Sequence, residues 1–350
     1  MRRHRAHAIA FALTAVVGLT AVVSALSGTH SDTARPRGAP GTASTAINLT
    51  PAGLRGKVWI ADARCRLVEI DLETLGRRLA TRDGGHCRFW FAPHGDLVAM
   101  HVGAPFRAPA DIEVLDIGTG RRSRPFRQPD LAVAPPAWSP DGRRLVACDG
   151  RAMASRLVSV GPAGGTVRTI RRDACFPGFA GGRLAYRDMA RRAAVIARTP
   201  IADAGSLTGE LGVAVDQLPG MAAEGSVVAV PATTIGRPGG PAPDTVLFLY
   251  DAGGRPLGRW DTGVTAREVW LTGGGRFAAV ADTHRSVLVR DLRTGRLFRP
   301  PSGPAFAAAA SPDLATVALA GPTRRWFVRV ADGTTIGSLP TAAGWLGWTR

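Results

Sequence analysis

The stretch WSPDGRRL, residues 138 to 145, carries the reading of this chain. Trp138 closes a short apolar run, and Pro140, Asp141 and Gly142 are turn-forming residues, the glycine being free to take a positive φ. Leu145 then opens a second run, LVAC, of small and apolar side chains, so the unit reads as two strands around a tight turn. The same grammar recurs in FWFAPHGDLVAM (89 to 100), FPGFAGGRLAYR (176 to 187), EVWLTGGGRFAAV (268 to 280) and AAASPDLATVAL (308 to 319). The first apolar residue after each turn serves as a marker: Leu97, Leu145, Leu184, Val227, Phe277 and Val317, with Val58 of GKVWIAD as a seventh. Successive spacings are 39, 48, 39, 43, 50 and 40 residues. A period of that size with several short strands per unit predicts propeller blades.

A second half-motif follows most markers: VEIDLETLGRRL (68 to 79), EVLDIGTGRRS (113 to 123), FLYDAGGRPLG (248 to 258), LVRDLRTGRLF (288 to 298) and VRVADGTTIGSL (328 to 339). In these, Asp71, Asp116, Asp251 and Asp291 can accept the backbone N–H groups of a turn, and Gly76, Gly120, Gly254 and Gly295 are expected to return the chain with positive φ. Each blade thus has strands A to D, A innermost. The C-terminal Trp345-Leu346-Gly347-Trp348-Thr349 reads as an A strand without a blade, and the first blade lacks one, so the end of the chain is expected to close the ring. The expectation is an all-β fold of seven blades, six or eight being the alternative counts, with the fourth blade (178 to 215) the least clearly written.

WSPDGRRL, with its echoes FAPHGDL (91 to 97) and ASPDLATV (310 to 317), resembles the WD40-like repeat of TolB-type β-propellers over most of residues 57 to 350. The resemblance implies a propeller that binds a protein or ligand and supplies no catalytic residue from the repeat itself. No separate N-terminal α/β domain of the TolB kind is evident ahead of the repeats, and a serine-peptidase domain after Arg350 is not expected.

Ahead of the repeats, Arg2, Arg3 and Arg5 precede an uncharged stretch from Ala8 to Ser27, the pattern of an export signal. Its length exceeds the usual signal-peptide core of about 7 to 15 residues and reaches the roughly 20 that span a bilayer. Residues 1–27 are therefore expected to be a signal peptide or transmembrane anchor, residues 28–55 a flexible Ser/Thr/Ala/Pro/Gly linker, and residues 56–350 the propeller. Retention gives a single-pass membrane protein with an extracytoplasmic propeller; cleavage after Ala25 gives a secreted one.

The net charge is +17, from 44 Lys+Arg and 27 Asp+Glu in 350 residues. Lys57 is the one lysine, and the arginines lie mostly in pairs at turns, such as Arg143-Arg144, Arg191-Arg192 and Arg324-Arg325. Residues 1–56 hold six Arg and one Asp, which leaves +12 on the propeller. Outside the cytoplasm such a charge favours an anionic envelope ligand or lipid headgroups as partner, with the membrane engaged through the N-terminal segment. Nucleic acid is not expected, because no aromatic interleaving for base stacking is present.

Four cysteines in an exported chain point to disulfides. Of three pairings, the blade plan favours Cys65 with Cys87 and Cys148 with Cys175, each joining a B–C loop or B-strand end to the connection into the next blade on the same face.

No G-x-S-x-G, H-E-x-x-H, C-x-x-C, phosphate-binding loop or calcium-binding loop occurs, so no cofactor, metal or catalytic residue is assigned. His86, His94 and His101 are close in sequence, but the plan puts His94 on the opposite face. The residues four places past each marker are Asp62, His101, Asp149, Asp188, Pro231, Ala281 and Gly321, with Asp282, His284, Arg151, Arg187, Arg324 and Arg325 nearby. Of these, His101, Asp149, Asp188, Asp282 and His284 are the candidate residues of a binding site at one mouth of the channel; in purely structural terms the aspartates would cap the B–C turns. The longest B–C insertion, Ala232 to Asp244, belongs to this face. The functional expectation is a membrane-tethered, non-catalytic binding or protein-interaction module of the cell envelope. The alternative is an envelope enzyme, a hydrolase, lyase or dehydrogenase, with its active site at the channel mouth.

Overall fold

The structure, a computed structural model, describes residues 54–349 except 63, 86–87, 103–109, 129–133, 151–154, 212–214, 218–219, 235–242, 283, 285, 302–304, 306, 322 and 341–345. The segments expected to form the leader and most of the linker lie outside the described residues. The rest is a seven-bladed β-propeller of antiparallel sheets.

Every marker falls on the first or second residue of a B strand. These strands are Lys57–Ala61, Leu97–Val102, Leu145–Asp149, Arg183–Asp188, Val227–Thr234, Phe277–Asp282 and Thr316–Ala320. Their side chains are buried on both sides, as in Leu145–Asp149, because alternate residues face the two neighbouring blades. In blade 2, Ala99 packs towards Trp138 and Leu145 of blade 3, whereas Val98 and Met100 pack towards Trp59 and Leu67 of blade 1. The core is accordingly a ring of apolar layers between blades. The A strands are also tied sideways: Trp138 Nε1 of blade 3 donates to the Trp90 carbonyl of blade 2 at 2.9 Å, and Trp270 Nε1 of blade 6 to the Ala308 carbonyl of blade 7 at 3.2 Å.

The ring closes as the chain end suggests. Leu346–Thr349 is the A strand of blade 1, pairing with Lys57–Ala61 in the register Val58 with Trp348 and Ile60 with Leu346. Trp59 Nε1 donates to Thr349 Oγ1 at 3.0 Å, and Trp348 Nε1 to the Arg55 carbonyl at 3.0 Å. Gly347 allows this: a Cβ there would lie 2.7 Å from the Phe91 ring.

The turns follow the sequence plan with one exchange. Asp71, Asp116, Asp251 and Asp291 each accept backbone N–H groups of their C–D turns at 2.8–2.9 Å. Gly120, Gly254 and Gly295 have φ of 72°, 86° and 75°. In blade 1, however, the positive φ belongs to Leu75 at 58° and not to Gly76.

Blade 4 is complete: Ala174–Ala180, Arg183–Asp188, Ala193–Ile196 and Thr199–Asp203. It is followed by the one helix among the described residues, Ala204–Leu211, which inserts Leu207 into the layer between blades 4 and 5. Two positions differ from expectation. Cys175 lies inside the A strand of blade 4 and not in the connection before it. Ala232–Thr234 continue the B strand of blade 5, so Pro231 is paired with Leu247 within the sheet and the insertion proper begins at residue 235.

Candidate functional site

The B–C loops and the D–A connections emerge on the same face of the ring, and the five candidate residues all belong to it. Four of the aspartates there are committed to local structure. Asp62 Oδ1 accepts the N–H groups of Arg64 and Arg66 at 2.9 Å each, and its Oδ2 accepts Arg66 Nε at 2.8 Å. Burial would raise that carboxyl, but the Arg66 hydrogen bonds prevail and hold it below the usual carboxylate range. Asp149 Oδ2 accepts Arg156 Nε across the strand pair at 2.8 Å. Asp188 Oδ1 accepts the Arg191 N–H at 3.0 Å, and its Oδ2 lies 3.7 Å from Arg171 Nη2. Asp282 Oδ1 accepts the Ser286 N–H at 2.7 Å, with exposed His284 inside the same turn.

His101 is in a different setting. It sits opposite Arg88 on the A–B ladder of blade 2, its ring edge-on to Trp90 with centroids 4.8 Å apart. Its Nε2 is buried and has no hydrogen-bond partner among the described residues. Burial first, and then the Arg88 charge, lower its pKa to about 4. Arg88 in turn forms an ion pair with Glu268. Both belong to A strands, Arg88–Phe91 of blade 2 and Ala266–Thr272 of blade 6, so the pair reaches across the central channel. No sequence signal marks it, because the partners are 180 residues apart.

The remaining basic neighbours are dispersed. Arg325 is fully buried, which lowers its guanidinium to about 10, still charged at neutral pH. Arg324 is exposed at the start of the same strand. Arg187 is lowered by burial and by the charge of Arg192. Arg151 lies outside the described residues, as does His86.

Of the five candidates, Asp188 is among the residues that line a cavity of about 650 Å³. This concavity lies between the end of the blade 3 D strand, Gly164–Arg172, and the B–C turn of blade 4. Arg171, Arg172, Asp173 and Ile170 form one wall, and Asp188 and Arg191 the other. Its frame is fixed on two sides. The Cys148–Cys175 disulfide joins the B strand of blade 3 to the A strand of blade 4 with Cα atoms 5.1 Å apart, as expected from the blade plan. The Met189 N–H donates to the Asp173 carbonyl at 2.7 Å. Cys65 is also disulfide-bonded; its expected partner, Cys87, lies outside the described residues. Among the described residues no group of three or more His, Cys, Asp or Glu is placed to hold a metal ion.

No protein-family model and no curated protein matches the sequence. Solved structures do match. A prolyl endopeptidase structure superposes with a TM-score of 0.54 at 13% identity, over 85% of this chain and 50% of its own. The Cps50 (Swd1) β-propeller domain of Myceliophteria thermophila gives 0.50 at 15% identity, over 77% and 91%. TolB from Acinetobacter baumannii gives 0.47 at 15% identity, over 84% and 66%. The chain thus spans half the length of the peptidase and just under two thirds of TolB. At these identities the likeness is one of fold.

Proposed function

We propose that this chain is an exported, membrane-tethered β-propeller acting as a non-catalytic binding module of the cell envelope, with the B–C face as its working surface. The observation that carries the reading is the engagement of the carboxylates that begin that face's B–C turns. Asp62, Asp149, Asp188 and Asp282 accept turn N–H groups or arginine donors of their own blades. A general acid or base needs instead a group poised towards substrate with a pKa near the working pH, whereas Asp62 and His101 are both shifted downwards, away from neutrality. A rigid scaffold whose loops and cavity lie on one face is suited to recognition. The leader, Arg2, Arg3 and Arg5 ahead of the uncharged stretch Ala8 to Ser27, supports export with residues 28–55 as the tether.

Export and binding are tested together in the native envelope. The propeller is expected to be protease-accessible in intact spheroplasts and membrane-bound, with Met1 retained, and to recover a partner from envelope extracts. A mature start at Leu26 would replace the tether with secretion, and a protease-protected cytoplasmic propeller would overturn the reading.

A further inference from the structure

We propose that the cavity between blades 3 and 4 binds an anionic saccharide, its carboxylate or phosphate group seated among Arg171, Arg172 and Arg191. The proposal rests on the binding-module reading and assigns that module its ligand and its site. Arg171, Arg172 and Arg191 line about 650 Å³ of concave space, a volume in the small-molecule range. Their charge is incompletely answered from within the protein. Arg171 has only the long 3.7 Å approach to Asp188, whose other oxygen already accepts the Arg191 N–H. Arg172 and Arg191 have no ion pair among the described residues. An arginine fork matches a carboxylate or phosphate in a bidentate manner.

The other walls fit a polyol better than a bare anion. The Asp173 carboxylate, exposed and without a hydrogen-bond partner among the described residues, can accept a hydroxyl donor. Ile170, 44% exposed, offers an apolar patch for the C–H face of a sugar ring. Two non-glycine residues in the bounding loops hold positive φ, Asp173 at 50° and Arg192 at 51°. Such conformations persist where surrounding structure enforces them and recur at ligand sites. The Cys148–Cys175 bridge and the Met189 N–H bond to the Asp173 carbonyl tie the bounding segments together, which limits the ordering that binding requires.

The test is isothermal titration of the full-length protein in detergent with glucuronate, glucose, inorganic phosphate, mannuronate and polymannuronate. Glucuronate is expected to bind at least tenfold tighter than glucose and than phosphate, to weaken with salt, and to lose at least tenfold in the R171Q/R172Q/R191Q variant. D173A, which removes the hydroxyl acceptor together with a charge that opposes anions, is expected to raise the affinity for phosphate more than that for glucuronate and so to narrow the gap between them. Tighter binding of polymannuronate, per uronate unit, than of its own monomer mannuronate identifies a polymer as the source; equal binding of the two identifies a free sugar acid. Should the triple variant misfold, R191E alone reads the same loss, since Arg191 is exposed on a turn. No saturable binding of any of the uronates, equal binding of glucose, or phosphate as tight as glucuronate would overturn the proposal. If titration fails while the envelope partner is still recovered, the cavity assignment falls and the binding module stands.

Discussion

His101 is a neutral imidazole enclosed by Trp90, Arg88 and the Arg88–Glu268 pair, and its environment gives the protein a pH dependence of known sign. In the folded chain it resists protonation down to about pH 4, whereas an unfolded histidine takes a proton near pH 6.5. Between those values the unfolded state binds more protons, so stability falls as the pH drops from about 6.5 towards 4, by at most ~1.4 kcal/mol per unit from this group. Urea midpoints at pH 7 and pH 4.5 should therefore lie closer together in H101Q than in the parent protein; an equal separation in both would remove His101 as the source. The residue scale also shows where sequence reading stops. The turn Asp141-Gly142 announces its positive φ, 66°, through the glycine. Leu314 takes the same place in ASPDLATV with φ 59°, and Leu75 displaces Gly76 from its expected role. The ladder on either side of these turns fixes the geometry, and a side chain that resists it is overruled at a cost of about 1–2 kcal/mol.

The elements were legible in proportion to how far their turns use ordinary turn residues. Blade 4 shows the limit. Its C–D hairpin turns on Ala197 and Arg198, φ 48° and 80°, a two-residue turn with both φ positive but with no Asn or Gly to mark it. The helix Ala204–Leu211 is not legible in the sequence for a related reason: it is two turns long, with Leu207 as its deeply buried residue among those described, too short to write a period of 3.6. Its start is marked only by Asp203, whose carboxylate accepts the Ser206 N–H at 2.8 Å. The Cys148–Cys175 bridge was readable because spacing and blade plan agreed, although Cys175 proved to be a strand residue. With its two cysteines 27 positions apart, the bridge restricts the unfolded chain, and removing it in C148S/C175S is expected to cost about 3–4 kcal/mol. Guanidinium melts of the two proteins check this. Because the bridge also frames the cavity, the same variant should weaken glucuronate binding at temperatures where it remains folded.

At the scale of the whole molecule, ring closure is the property the sequence expressed most clearly and the candidate site the least. Closure repeats a local grammar seven times and leaves a surplus strand at one end and a deficit at the other, whereas the Arg88–Glu268 pair and the cavity depend on which residues the ring brings together. That surplus strand makes every blade depend on the chain's last residues. Without residues 344–350, Lys57–Ala61 would become an open edge, Trp59 Nε1 would lose Thr349 Oγ1, and Leu346, buried with Val58 and Ile60, would leave the layer between blades 7 and 1. Burial of Leu346 and the half-buried Trp348 alone accounts for roughly 3–5 kcal/mol, and an unpaired edge invites pairing with another chain. The truncated protein is therefore expected to unfold at a distinctly lower urea concentration and to self-associate on gel filtration, and a peptide of residues 344–350 added in trans should reverse both. T349V, which removes only the Trp59 bond, should cost about 1 kcal/mol and leave the gel-filtration position of the parent unchanged. A truncated chain with the parent's midpoint would mean that the apolar layers between blades close the ring without this strand.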